Sequence, residues 1–444
     1  MTSEIEFKRD GWLNSATDDP EARTVTRLRV SILGDLVTRN LSKRGGGESE
    51  AINTSLFPLA EFLANNWWTL LNEPVKPAIT EAFRVRHRLD SGMRGYSFPA
   101  LALWSGGERS IVADWATFEN PFSQISFLTS GPGEPIQLGR ETAEANLMDL
   151  VETVLERAGG ASGDLAVAWD RVRETMSNQD ELNYCTAAGR LGLDPYDPDA
   201  PDLSDWARGI SETLFNDVAD IVDVSDLPET SDWVRYNEAR LAIFPETNLE
   251  YFGTPAADDL ADPAWVAGQI SAERLRAHTG LPLENPRQAI DDLLGSVIAD
   301  GNELSRQGPD GISALLRRDG FRAHIGTVAK RARQRRFRAC AAAYLAWTSG
   351  DGEGHAVTDA LTRRQQASRA FAAEMLAPRE ALLARSSKNG FDGEDLEEIA
   401  GEFICPYETV MWQAVRAHIP LRGITLPSAT RSYVVTQQPS GTEA

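Results

Sequence analysis

The chain has 444 residues, of which 42% are hydrophobic and 25% charged, and its formal net charge at pH 7 is −22. These proportions belong to a globular protein of two or three domains and exclude a disordered chain, while the negative surplus opposes long-range attraction to nucleic-acid phosphates. No apolar run is long enough to cross a bilayer, the acidic start Met1-Thr-Ser-Glu-Ile-Glu6 has no signal core, and Cys185, Cys340 and Cys405 are too scattered for a disulfide framework or a zinc ribbon, so the expected compartment is the cytoplasm.

The expected fold class is α+β, predominantly helical. Residues 1–50 read as a flexible segment ending in the loop Lys43-Arg-Gly-Gly-Gly-Glu-Ser-Glu50. Residues 51–160 read as a small α+β domain with a short antiparallel sheet. Its apolar helix, Phe57 to Leu71, is anchored by Trp67 and Trp68 and terminated by Pro74 and Pro77. Four short strands follow, at 98–104, 109–115, 124–129 and 136–138, with Ser105-Gly-Gly107 as the first turn, and then a helix over 141–157.

Residues 161–268 read as an acidic helical region, with 18 acidic against 3 basic residues between Asp194 and Asp262. The segment Glu181 to Leu193 suggests a helix, a glycine turn and a second helix. Its acidic flanks favour a packing corner over a DNA-reading motif. Between Phe321 and Cys340 the balance reverses, with seven basic residues and no acidic one. Arg331, Arg333, Arg335 and Arg336 are therefore candidates for binding an anion or a partner. The alternatives are a solvated helix face or an internal complement to the acidic 194–262 block.

Phe337, Cys340, Ala341, Tyr344 and Trp347 recur at spacings of three and four, as do Leu361, Ala367, Ala370, Phe371 and Glu374. Each set marks one face of a helix, and Pro378 ends the second. Alanines at 341, 342, 372 and 373 would let the two helices approach closely.

The run Gln365-Gln-Ala-Ser-Arg-Ala-Phe-Ala-Ala-Glu-Met-Leu-Ala-Pro378 resembles the helix that carries the last zinc ligand of the ImmA/IrrE family of bacterial metallopeptidase-like proteins. Arg335-Arg-Phe337 is similar to the start of that family's zinc helix. Ala272 to Leu281, with Pro286 and Asp291-Asp-Leu-Leu294, resembles its entry helices, and Leu396 to Pro406 with Val410 its closing helices. The resemblance implies a zincin-like helical domain over 269–425, with 426–444 left as a disordered tail.

It also implies that the chemistry is gone. In the alignment the two zinc histidines become Ala341 and Leu345, the general base becomes Ala342, and the last acidic ligand becomes Gln366, or Gln365 if the register slips. Hydrocarbon side chains have no lone pair for a metal, and no His-Glu-x-x-His exists elsewhere in the chain. The family's zinc is thus expected to be absent, and the implied role is non-catalytic. Such a role would be regulatory, in stress response, mobile-element control or phage defence, with a protein partner held as an added strand or helix.

Two other classes stay open. A peptidase would need ligands from His324, His355, Asp359 and Glu374, and a thiol hydrolase would pair Cys340 with His324 or His355. A nucleic-acid-associated subunit would use Arg322 to Arg338 and the closing helices, against the repulsion of Glu397, Glu398, Glu402 and Glu408. The sequence does not set the oligomeric state.

Overall fold

The computed structural model describes residues 4–13, 18–76, 79–117, 123–244, 246–284, 287–298, 303–304, 308–329 and 331–426. The expected tail, Pro77, Pro286 and Lys330 therefore lie outside the described residues. The architecture is mixed α+β and about 49% helical, with small antiparallel sheets, so helix is the larger component. The chain divides into two compact units, one running to residue 201 and the other starting at residue 202. The acidic 161–268 segment is shared between them.

In the first unit the helix Phe57–Asn72 is buried along nearly its whole length. It starts with proline at the first turn, where a missing N–H costs nothing. The helices Arg140–Ala158, Gly163–Met176 and Gln179–Arg190 pack around it. Trp67 meets Trp169 edge-on, with ring centroids 5.0 Å apart, a favoured aromatic geometry.

The described residues among the first fifty form strands and a short helix where a flexible segment was expected. Ile5–Trp12 and Ile52–Ser55 flank Val25–Ile32 in an antiparallel sheet. Thr26, Leu28, Val30 and Ile32 point inward with period two. Arg27 and Arg29, interleaved on the outer face, disguised that alternation in the sequence.

The strand Ser110–Ala116 lies between Ala100–Ser105 and Ile136–Gly139, and Ile125–Phe127, expected among the same run of strands, pairs instead with Asn40–Ser42. The suggested helix-turn-helix is also corrected. The helix Gln179–Arg190 stops, Gly192 takes φ +74°, and turns follow in place of a second helix. A side chain at Gly192 would begin 2.6 Å from Glu73 Oε1.

The second unit, expected to be helical over 269–425, is not helical throughout. It contains a four-stranded antiparallel sheet in the order Glu246–Asn248, Arg322–Thr327, Ile312–Asp319, Gly354–Thr358. Of the basic stretch, 322–327 is therefore a strand, while Arg333, Arg335, Arg336 and Arg338 lie on the helix that follows. The helix Ala332–Thr348, the alanine helix, packs on three of these strands. Next to it lies Arg363–Leu376, the glutamine helix, which also runs against Ala264–Thr279.

The tightest approach of the glutamine helix is to Ala264–Thr279, not to the alanine helix. A Cβ on Gly268 would fall 1.9 Å from the Ala367 carbonyl oxygen, so only glycine allows this contact. The helices Gly393–Phe403 and Tyr407–Arg416 close the unit. Asp392 and Asp395 form a reciprocal capping box at the start of the first.

Candidate functional site in the second unit

The alanine helix places Ala341, Ala342 and Leu345 in the core, each with no exposed surface. Tyr344 and Phe371 join it to the glutamine helix, with ring centroids 5.1 Å apart, and Trp347 reaches Phe371 at 6.1 Å. All three aromatic rings are buried. The face that would carry the family's metal ligands is thus filled by hydrocarbon and aromatic side chains.

Gln366 is half-buried and its Nε2 donates to the Leu361 carbonyl at 2.6 Å. Gln365 does more. Its Oε1 accepts from the Thr358 N–H at 3.0 Å, and its Nε2 donates to the Ala356 carbonyl at 2.7 Å. Both backbone groups face outward from the strand Gly354–Thr358, which stands at one edge of the sheet.

The rest of that edge is also occupied by side chains of this chain. Thr213 Oγ1 donates to Gly354 O at 2.7 Å, the Ala356 N–H donates to Asp217 Oδ2 at 3.0 Å, and Arg369 Nη1 donates to Thr358 O at 2.8 Å. Every residue of the strand is buried. An open edge exposes backbone groups that can pair with another chain, and here those groups are already bonded. A partner peptide therefore cannot add to this strand.

His355 sits on the same strand, 1% exposed. Its Nδ1 lies 2.8 Å from Asp217 Oδ2, and its Nε2 lies 3.0 Å from Arg364 Nη2. The tautomer with its proton on Nδ1 donates to Asp217 and accepts from Arg364. Burial acts to raise the Asp217 carboxyl, yet His355 and Arg364 hold it below its ordinary 3.8. Arg364 also donates to Ser349 Oγ. This enclosed network ties the helix at 212–219 to the sheet.

The other groups proposed for catalysis are dispersed. His324 Nδ1 contacts the Phe244 carbonyl at 3.2 Å on another strand. Glu374 accepts from Gln413 Nε2 at 2.7 Å and Arg379 Nε at 3.2 Å, and burial raises its carboxyl. Cys340 is buried with its thiol pushed up to about 12, the opposite of what a nucleophilic thiolate needs. Among the described residues, no three His, Cys, Asp or Glu side chains gather in a way that would hold a metal ion.

The basic residues are mostly spoken for. Arg336 is buried and paired with Asp291, Arg333 meets Glu397 at 2.6 Å, Arg335 lies 3.9 Å from Glu303, and Arg322 lies 3.1 Å from Glu246. Arg331 is exposed. Of these partners only Glu246 belongs to the 194–262 block. That block instead serves the glutamine helix: Arg363 Nε donates to Asp258 at 2.7 Å and its Nη1 to the Asp262 carbonyl at 2.9 Å.

Sequence reasoning missed Asp217, Thr213, Arg364 and Arg369. Their shared role depends on a strand that helical periodicity could not reveal. Compared with protein-family models, curated proteins and solved structures, the chain matches none of them.

Proposed function

We propose that the second unit is a metal-free relative of the ImmA/IrrE peptidases and that the protein acts by binding a protein partner in a regulatory or defence role. The observation that carries this reading is the complete burial of Ala341, Ala342 and Leu345 in the same core as the Tyr344–Phe371 contact. A zinc site needs lone pairs converging on an accessible point, and this face has neither.

Three further features support the reading. The four pieces that carry the resemblance fall on helices: Ala264–Thr279 with Arg287–Leu294, the alanine helix, the glutamine helix, and Gly393–Phe403 with Tyr407–Arg416. Gln365, the alternative for the family's last ligand, is used to bond a strand. Tyr251 and Phe321 are 63% and 65% exposed, aromatic surface of the kind that partner interfaces use. Because the edge strand is closed, the partner engages by a mode other than strand addition there.

The test is elemental analysis of protein purified without added metal, joined to identification of the proteins that co-purify with it. The reading expects substoichiometric zinc and one recurrent protein partner. A tightly bound zinc in every chain would overturn it.

A further inference from the structure

A cavity of about 240 Å3 opens in the second unit, lined among others by Ser313, Gln334, Phe337, Arg338, Asp359 and Arg369. Gln334 and Arg338 are one helical turn apart on the alanine helix, so they project from the same face. Arg369 reaches the cavity from the glutamine helix, and Asp359 from just beyond the edge strand.

The polar groups here are not matched to one another. Arg369 is fixed, with Nη1 and Nη2 donating to the Thr358 and Ala360 carbonyls at 2.8 and 2.9 Å. Neither oxygen carries a full charge to offset the guanidinium. Arg338 is half-buried, and among the described residues neither its guanidinium nor the Gln334 amide has a hydrogen bond or ion pair. The Asp359 carboxylate is likewise without such a partner, although its backbone N–H donates to Gly311 O. Burial lowers both arginines and Asp359 raises them.

Two guanidinium groups withdrawn from water against one carboxylate leave a local positive surplus in a chain whose net charge is −22. A partly desolvated cation without a partner is costly, and a planar fork of donors matches an oxyanion. We propose that this cavity binds a small molecule bearing an oxyanion, a phosphate or a carboxylate. Arg338 forks onto the anion, Arg369 supplies a fixed positive charge, the Gln334 amide donates a further hydrogen bond, and Asp359 accepts from a hydroxyl or ammonium group elsewhere on the ligand. Apart from the fold, none of this depends on the degenerate zinc positions, so it stands or falls separately from the metal question.

The test is titration calorimetry and thermal unfolding of the full chain with inorganic phosphate and, separately, with acetate, each against chloride at equal ionic strength. At least one of the two should bind saturably and raise the unfolding temperature. Phosphate alone would identify a phosphoryl ligand, and acetate alone a carboxylate ligand. Arg338→Gln should weaken that binding by about tenfold or more, with the unliganded protein nearly as stable as before because Arg338 makes no hydrogen bond or ion pair among the described residues. Gln334→Glu, at an exposed position, should weaken it similarly by repulsion, and this variant decides the matter if Arg338→Gln fails to fold. No saturable effect from either anion, or wild-type binding by the folded variants, would overturn the proposal.

Discussion

Gln365 bonds Thr358 through the backbone: its side-chain oxygen accepts the Thr358 N–H at 3.0 Å, while its nitrogen donates to Ala356 O at 2.7 Å two residues away. A glutamine matches an outward-facing N–H and C=O at once, which a carboxylate does not, since it has no donor. Gln365 therefore does structural work at the edge of the sheet.

Gln365→Ala should leave two buried backbone groups unpaired, at about 1–3 kcal/mol each. Unfolding of the second unit should move to lower denaturant by a corresponding amount, and amide exchange at Thr358 should accelerate. Gln365→Glu should keep the first bond and lose the second, giving an intermediate or larger loss, because a charge is also buried. Unchanged exchange at Thr358 in both variants would remove Gln365 from this role.

The Asp217 network sets a pH dependence. The folded carboxyl lies below its ordinary 3.8, so the unfolded chain binds the proton first as pH falls. The stabilisation is then fully present above about pH 5 and lost progressively as pH drops through 3.8 and below. Asp217→Asn should flatten the acid limb of a stability-against-pH curve measured from pH 6 to 2.5. An identical limb in the variant would contradict the assignment.

The three thiols should be inert in the native state. Burial pushes Cys185 up to about 11 and Cys340 and Cys405 up to about 12. A neutral-pH thiol reagent should react only after unfolding, and Cys340→Ala should cost roughly 1–2 kcal/mol. Rapid labelling of Cys340 in folded protein would reopen thiol chemistry.

The arginines should matter for stability more than for nucleic acid. Arg336→Ala leaves Asp291 without its partner and opens a buried space, and should cost about 3 kcal/mol. Arg333→Ala, in an exposed pair, should cost about 0–1 kcal/mol. Duplex binding by fluorescence anisotropy should be weak for wild type and variants alike. Tight wild-type binding with a steep salt dependence, lost in Arg331→Ala/Arg333→Ala at unchanged stability, would contradict this.

Long apolar helices were legible in the sequence because burial repeats every three or four residues; Phe57–Asn72, Arg140–Ala158 and the alanine helix fall close to where periodicity places them. The strand Val25–Ile32 was not, since Arg27 and Arg29 on its outer face read as charge and hid the alternation, and neither was Arg322–Thr327, which was read as part of the basic stretch and has no period-two burial. The acidic 194–262 block was offered as one complement of the basic stretch, yet only Arg322 of that stretch pairs with it, through Glu246, while Arg363 and His355 beyond the stretch pair with Asp258 and Asp217. Ion pairing across more than a hundred residues follows topology, which charge counts do not contain. The bonds that close the edge strand needed both the strand and its neighbours to be placed.

Under the proposed function, the alanine and glutamine helices pack against each other where the ImmA/IrrE peptidases hold zinc. Mass-spectrometric metal analysis of the purified full chain, before and after incubation with equimolar zinc and desalting, tests it most directly. The account predicts well under one zinc per chain in both samples, with an unfolding temperature that zinc does not change. One zinc retained per chain, lost on chelation together with several degrees of thermal stability, would contradict it.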